Sequence, residues 1–242
     1  MAVHVGCCGF PVERKRYCER FSLVEVQQSF YQPPRPETAM RWRESAPPSF
    51  AFTLKAWQLI THEPQSPTYG KAKLFIAADR ASCYGSFRPT EEVHDAWAAT
   101  LSSARVMRAL CVVFQCSASF TPTEEHIADM RRFFSSIERD HLMLVWEPRG
   151  AWEDEVIAPL CRDLELIHCT DPFVRQPVTT EPTYFRLHGI GGYRYRYSAD
   201  DLERLRAMCL PRGEVYCLFN NVWMWESAQE FQQLLLRHSL AS

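Results

Sequence analysis

The sequence predicts an α/β protein, a closed (β/α)₈ barrel of the TIM type in a single domain over residues 1–242, and three observations carry that prediction. Eight short apolar runs recur along the chain, and helix-like stretches separate most of them. Nearly all of these runs end in polar or charged residues, and the ends of barrel strands are where catalytic side chains lie. The chain length of 242 residues is close to the roughly 250 that such a barrel needs. The runs cover residues 4–8, 23–28, 50–56, 110–116, 142–149, 164–171, 184–189 and 215–221.

The longest segment between predicted strands follows the third strand and covers residues 57–107. Within it, the pattern predicts a short helix over residues 71–78. A second helix is predicted to start after Thr90, because the Thr90 hydroxyl is a good N-cap and two glutamates occupy the first turn. This helix continues through Met107. We expect an excursion of this length to form a wall or lid at the carboxyl end of the barrel.

Three later segments carry helix signals of the same kind. A cap and an acidic first turn at residues 121–125 begin a helix that continues to about Ile137, with apolar residues at helical spacing. Ser198 and two aspartates begin another helix, and the last covers about residues 226–238. The segment 172–182 is short and rich in proline, so it predicts an irregular loop between strands six and seven.

Composition excludes several classes of protein. The net charge of −2 gives no overall electrostatic attraction to nucleic acid or membrane, although a local basic cleft is compatible with it. The chain begins without a basic and long apolar leader, and no stretch has the roughly 18 uncharged apolar residues of a membrane helix. Six of the ten cysteines fall in predicted strands and none form a Cys-x-x-Cys pair, which favours buried thiols over a zinc or iron–sulfur site. These features together predict a cytoplasmic protein.

The seventh strand carries the most informative polar residues. Side chains alternate along a strand, so Tyr184, Arg186 and His188 share one face and are expected to point into the barrel. A buried arginine needs an anionic partner, which is either a substrate or a carboxylate of the barrel itself. The following glycine-rich loop contains Tyr193 and Arg194. Such a loop suits a phosphate, a sugar or a stacked base, or is an ordinary solvent loop.

Three other strands supply candidates for catalysis and binding. Glu147 and Arg149 end the fifth strand on one face, and Glu147 is the first candidate for a general acid or base. The alternative is a structural ion pair between Glu147 and an arginine. Lys55, one of only four lysines, ends the third strand, while Glu25 is a carboxylate among the apolar residues of the second.

A metal ion is a further hypothesis that the sequence does not favour. The residue types for a His/carboxylate site are present, but no His-x-x-x-His spacing supports one. The cofactor is therefore left undefined and no metal ligand is assigned. The residues that such a site would draw on are His62, His168, His188, Glu25, Glu147 and Asp171.

Taken together, these segments resemble the YecE-like family, domain of unknown function family 72. The matching stretches follow family order and cover essentially the whole chain. They are residues 24–31 (VEVQQSFY), 50–56 (FAFTLKA), 60–62 (ITH), 114–115 (FQ), 147–149 (EPR) with Trp152, 184–189 (YFRLHG) and 219–221 (FNN).

The resemblance implies a (β/α)₈-like barrel and a set of cleft residues, but no settled reaction. Gln27 stands where the family usually has asparagine, and Phe10 stands where it usually has tryptophan, so the specificity of the pocket is open. The residues that the resemblance places in the cleft are Glu25, Tyr31, Lys55, His62, Glu147, Arg149, Arg186, His188, Asn220 and Asn221.

Three functional hypotheses remain open from the sequence. The preferred one is an enzyme, a hydrolase rather than an isomerase, that acts on a phosphate-bearing or sugar-like polyol by acid–base chemistry. Glu147 would move the proton with His62 or His188 as its partner, and Glu25 is a further catalytic candidate. The second hypothesis is a nucleic-acid-binding or nucleic-acid-processing protein, which would include metal-dependent hydrolysis of phosphodiesters, and the third is a non-catalytic ligand-binding barrel. The sequence indicates no protein partner. The side chains assigned to substrate binding are Lys55, Arg149, Arg186, Asn220, Asn221, Tyr31, Tyr193 and Arg194.

Overall fold

Eight strands follow one another in chain order around a closed barrel, which confirms the predicted (β/α)₈ fold. The structure is a computed structural model that describes residues 2–240. Each strand agrees within two residues at either end with the apolar run that predicts it. The strands are β1 (Ala2–Cys8), β2 (Leu23–Val26), β3 (Ala51–Lys55), β4 (Cys111–Gln115), β5 (Met143–Glu147), β6 (Leu166–Thr170), β7 (Thr183–Leu187) and β8 (Glu214–Phe219).

Helices occupy most of the connections between the strands. Residues 172–182 contain no helix, as their proline content predicts. A 3₁₀ helix covers Ala78–Cys83. The α-helices are α1 (Arg14–Cys18), α2 (Gln28–Tyr31), α3 (Pro36–Glu44), α4 (Gln58–Thr61), α5 (Pro67–Ala72), α6 (Glu91–Met107), α7 (Glu124–Ser136), α8 (Asp154–Asp163), α9 (Ala199–Cys209) and α10 (Met224–Ser239).

The long helices begin at the residues that the sequence marks as caps. The Thr123 hydroxyl accepts a hydrogen bond from the backbone N–H of His126 at the start of α7. Ser198 and Asp201 form a reciprocal capping box at the start of α9. Thr90 precedes α6, although its hydroxyl makes no cap hydrogen bond and donates instead to the Cys83 carbonyl.

The helix predicted over residues 71–78 is wrong. The chain forms α5 earlier, because Ser66 caps it through the N–H of Thr68 and Pro67 fits its first turn. The helix ends at Lys73, which adopts a left-handed conformation, and the 3₁₀ helix starts only at Ala78. The apolar spacing of this stretch therefore has less influence than the cap and the proline.

Within residues 2–240 the chain divides into two compact units. The central unit comprises residues 26–44 and 52–166, and the terminal unit comprises residues 2–25, 45–51 and 167–240. The central unit contains β3, β4 and β5, and an aromatic core surrounds Phe87. The terminal unit contains β1, β6, β7 and β8. That residues 1–242 form one domain stays a prediction.

All ten cysteines lie in the described part of the chain and are free thiols. Eight of them are buried, including Cys8 on β1 and Cys217 on β8. Burial in apolar surroundings raises the pKa of both thiols, because the thiolate loses its hydration there. Between residues 2 and 240, no helix is long and apolar enough to cross a membrane.

Candidate active site

Two strand ends of the central unit present Lys55 and Glu147 on the same face of the sheet. Lys55 on β3 is in register with Val113 on β4, and Val113 is in register with Val145 on β5. Glu147 lies two residues after Val145, so its side chain points to the same side as that of Lys55. Strand register alone therefore places a cation and a carboxylate at one edge of the sheet.

A short helix after β2 fixes the surroundings of Lys55. The Ser29 hydroxyl lies 2.7 Å from the Lys55 carbonyl oxygen and 2.9 Å from that of Val26, which ties α2 to the end of β3. This attachment places the Phe30 ring under the ammonium group, with Nζ 3.9 Å from the ring centroid. Nearby, the Trp57 indole N–H donates to the carbonyl oxygen of Tyr31 at 3.0 Å, so the backbone of Tyr31 is held close to the end of β3.

His62 lies at the C-terminal end of α4 and is only 5 % exposed. Its ring meets the edge of Phe30 at a centroid distance of 4.9 Å, and Nδ1 lies 2.8 Å from the Thr61 hydroxyl oxygen. Burial, and then the positive charges of Lys55 and Arg149, lower the pKa of His62 from 6.5 to about 4. The imidazole is therefore neutral near pH 7 and can both donate and accept a hydrogen bond.

Arg149 holds the Glu147 carboxylate in a forked contact. Both Nε and Nη2 of Arg149 donate to Oε1 of Glu147, at 3.1 and 2.8 Å. Glu147 is buried, while the Arg149 side chain is 37 % exposed. We call Lys55, His62, Glu147 and Arg149 the cationic cluster. The cluster brings together two basic side chains, one carboxylate and one imidazole that is neutral near pH 7.

The other predicted site residues lie in the terminal unit, where Glu25 and Arg186 form an ion pair. Their side chains are fully buried, and Arg186 Nη2 lies 3.0 Å from Glu25 Oε1. The Tyr184 hydroxyl donates to the second carboxylate oxygen at 2.9 Å, so Tyr184 and Arg186 do share a face. Of the two partners that the sequence leaves open for Arg186, the structure shows a carboxylate of the barrel.

The loops after β7 and β8 hold the remaining predicted residues. The N–H of His188 donates to Asp171 Oδ2 at 2.8 Å, and its ring Nδ1 lies 3.6 Å from the same oxygen. Asn221 is fully buried, and its amide donates to the Tyr195 carbonyl at 2.7 Å, which holds the loop between them. Asn220 is partly exposed, and Tyr193 and Arg194 face solvent.

Two residues near these clusters, Phe30 and Gln58, were not singled out from the sequence. Phe30 lies in one of the motifs given above, but only the fold of α2 brings it to Lys55. Asp171 was named from the sequence only as a residue that a metal site would draw on, and its bond to His188 depends on the pairing of β6 with β7. Gln58 is fully buried, and neither of its side-chain polar atoms has a hydrogen-bond partner among residues 2–240. Because buried amides need partners, Gln58 becomes a candidate for contact with a polar ligand.

A metal site can be examined on the same residues. In the part of the chain that the structure describes, no group of three or more His, Cys, Asp or Glu side chains is placed to hold a metal ion. His62 and Glu147 lie beside Lys55 and Arg149, and positive charge beside a metal ligand opposes binding of a cation.

Solved structures with the same fold include two proteins of one family. A DUF72 family protein from Enterococcus faecalis has a TM-score of 0.72 at 18 % identity, with 97 % of each chain covered. A DUF72 family protein from Thermotoga maritima has a TM-score of 0.68 at 18 % identity, covering 98 % of this chain and 100 % of the other. Identities this low show the fold alone.

More distant structures with this fold include enzymes. A xylose isomerase domain containing protein from Salmonella typhimurium has a TM-score of 0.58 at 13 % identity, covering 95 % of this chain and 93 % of that one. A sugar epimerase and an endonuclease also share the fold. A search of curated proteins finds no match to this chain. The family model described as protein of unknown function DUF72 matches residues 12–241, and the chain therefore belongs to that family.

Proposed function

We propose that the protein is an enzyme that binds a phosphate-bearing, sugar-like small molecule at the cationic cluster and hydrolyses it by acid–base chemistry. The observation that carries the proposal is the combination of a neutral, buried His62 with two basic side chains and a carboxylate at the ends of β3 and β5, which flank β4. Two basic side chains at a partly buried site suit an anionic ligand. A carboxylate there can accept a proton from water, and a neutral imidazole can hydrogen-bond the reacting oxygen.

Each residue of the cluster has a distinct role in this proposal. Lys55 and Arg149 neutralise the phosphate charge, and the forked guanidinium of Arg149 also fixes the direction of the Glu147 carboxylate. Glu147 accepts the proton from the attacking water. His62 hydrogen-bonds the reacting oxygen through Nε2, while Thr61 holds Nδ1. The reaction is a displacement at phosphorus: the water oxygen forms a new bond to phosphorus, the bond between phosphorus and the sugar oxygen breaks, and the proton that Glu147 took from water passes to the departing sugar oxygen.

Anion binding tests this proposal. Wild-type protein is expected to bind inorganic phosphate and a panel of phosphorylated sugars, measured by calorimetric titration. Lys55→Met should weaken binding about tenfold to a hundredfold, because a hydrogen bond to a charged group contributes about 1.5–3 kcal/mol. Release of inorganic phosphate from the panel would show hydrolysis, and an isomerised sugar phosphate would show isomerisation instead.

The matched control is Lys71→Met, which removes an exposed lysine of α5. It should bind phosphate as the wild type does. Equal affinities of wild type, Lys55→Met and Lys71→Met would show that Lys55 only packs against Phe30, and the proposal would fail.

A second candidate function is carried by an exposed surface of the terminal unit. Tyr193 is 54 % exposed and Trp223 is 37 % exposed, and the N–H of Val222 donates to the Tyr193 carbonyl at 2.9 Å. The guanidinium carbon of Arg196 lies 5.3 Å from the Trp223 ring centroid, and Arg194 is exposed beside them. Aromatic rings with neighbouring arginines suit the stacked bases and phosphates of single-stranded nucleic acid.

Oligonucleotide binding tests this second candidate. A Tyr193→Ala and Trp223→Ala double variant should lose about tenfold or more in affinity, since stacking contributes about 1–3 kcal/mol per base. Binding should also weaken as salt rises, because phosphate contacts release counterions. The control is Phe75→Ala, which removes an exposed ring in the central unit. Absent binding, or a loss that is equal in the control, contradicts nucleic-acid binding at this surface.

A further inference from the structure

Three consecutive residues of the excursion after β3 have left-handed backbone conformations. The φ angles are +79° at Gly85, +52° at Ser86 and +56° at Phe87. Glycine adopts such angles freely, but a serine and a phenylalanine do so only when the surrounding structure holds them. Strained backbone of this kind concentrates at functional sites. We call residues 85–87 the strained turn.

The strained turn is held against the helix that carries His62. The N–H of Gly85 donates to the Leu59 carbonyl at 2.8 Å, and the N–H of Phe87 donates to the Ile60 carbonyl at 2.9 Å. Both acceptors belong to α4, within three residues of His62. The turn therefore forms a short ladder beside α4.

Phe87 anchors the turn in the core of the central unit. Its side chain is fully buried, and its ring centroid lies 5.2–6.0 Å from those of four other phenylalanines. Burial of an aromatic ring on this scale can offset the backbone strain at the same residue. The surrounding rings are those of Phe114, Phe120, Phe133 and Phe134.

The carbonyl group of His62 contacts both the strained turn and α5. A Cβ atom placed on Gly85 would lie 2.5 Å from the His62 carbonyl oxygen and 2.6 Å from its carbonyl carbon. The backbone segments at residues 62 and 85 can therefore approach this closely only because residue 85 is glycine. On the same carbonyl, the buried Tyr69 hydroxyl donates a hydrogen bond of 2.8 Å. The next residue, Glu63, accepts from the Ser86 hydroxyl and from Arg88.

We infer that Gly85, Phe87 and Tyr69 are positioning residues that fix the His62 imidazole in the cationic cluster. The catalytic part of this inference rests on the proposed function, since His62 is assigned its role there. A displacement of about 1 Å in a group that contacts the reacting atoms can cost about a hundredfold in rate, so a histidine that hydrogen-bonds the reacting oxygen from a loop needs such support. The strained turn supplies it from the excursion, which gives that long segment a function at the site.

The test follows His62 directly by proton NMR titration in wild type, Gly85→Ala and Tyr69→Phe. In the wild type, the His62 resonance should titrate with a pKa of about 4. In Gly85→Ala the added Cβ must push the His62 carbonyl away, so the ring leaves its buried position. The pKa of His62 should then rise by about one pH unit or more, towards 6.5. Tyr69→Phe removes a single hydrogen bond and should give a smaller shift in the same direction.

Turnover of a phosphorylated substrate gives the second readout. In Gly85→Ala, kcat should fall about tenfold or more while KM changes little, because Lys55 and Arg149 still hold the anion. The matched control is Leu205→Ala, which opens a cavity at a fully buried position of α9 in the terminal unit. This variant should lower Tm while leaving the His62 pKa and kcat unchanged.

The outcomes separate this inference from the proposed function. A lowered Tm with an unchanged His62 pKa in both Gly85→Ala and Tyr69→Phe would overturn the inference, since the contacts would then be merely structural. If Gly85→Ala does not fold, the Tyr69→Phe titration decides alone. If the wild type releases no phosphate from any substrate, the proposed function fails, but the titrations still decide whether the strained turn positions His62.

Discussion

Replacing Glu147 with glutamine is expected to lower kcat about 10²–10⁴-fold, the usual contribution of a general acid or base. Glutamine keeps the size of the side chain and can still accept hydrogen bonds from Arg149, but it cannot accept a proton. KM for the phosphorylated substrate should change little, because Lys55 and Arg149 hold the phosphate. Steady-state kinetics and calorimetric Tm of the variant measure both effects.

The matched control for this prediction is Glu138→Gln, which alters an exposed carboxylate that pairs with Arg105. It should leave kcat unchanged. A Glu147→Gln protein with near-normal kcat and a strongly lowered Tm would contradict the catalytic role. Glu147 would then be a structural partner of Arg149, which is the alternative that the sequence leaves open.

The largest effect on stability is expected at the Glu25–Arg186 pair. Removing one partner, as in Arg186→Met or Glu25→Leu, should lower the free energy of unfolding by about 3–5 kcal/mol, because the other charge stays buried after it has lost its ion-pair partner. The Glu25→Leu, Arg186→Met double variant should recover most of this loss, since no buried charge is left. Denaturant unfolding of the four proteins measures the coupling.

A control for this series is Arg105→Met, which breaks an exposed ion pair and should have little effect on unfolding. Stable single variants that lose activity instead would contradict the structural role. Such a result would support the roles predicted from the sequence, which are catalysis for Glu25 and substrate binding for Arg186.

The strands and long helices could be predicted because their signals are local. The apolar run at residues 142–149 contains β5 and places Glu147 at its end, and Ser198 caps α9 in both sequence and structure. The ends of the predicted strands also point to Lys55 and Arg149 as site candidates, since polar residues that follow buried strands lie at one edge of a parallel sheet. Period-two alternation in β7 correctly puts Tyr184 and Arg186 on one face.

The remaining features depend on contacts between residues distant in sequence. The partner of Arg186 is 161 positions away, and the pairing of β7 with β8, of β8 with β1 and of β1 with β2 brings Glu25 to it. Burial, and then the charges of Lys55 and Arg149, lower the pKa of His62, and all three depend on how distant segments pack. The left-handed Ser86 and Phe87 have no sequence signal, because these residue types rarely adopt that conformation.

The cationic cluster is proposed here as an anion site that performs acid–base catalysis. A crystal structure of the protein with inorganic phosphate is the decisive test. We expect one phosphate whose oxygens lie about 3 Å from Lys55 Nζ and from the Arg149 guanidinium. Phosphate bound only in the loop over residues 189–197, or no bound phosphate at millimolar concentration, would contradict it.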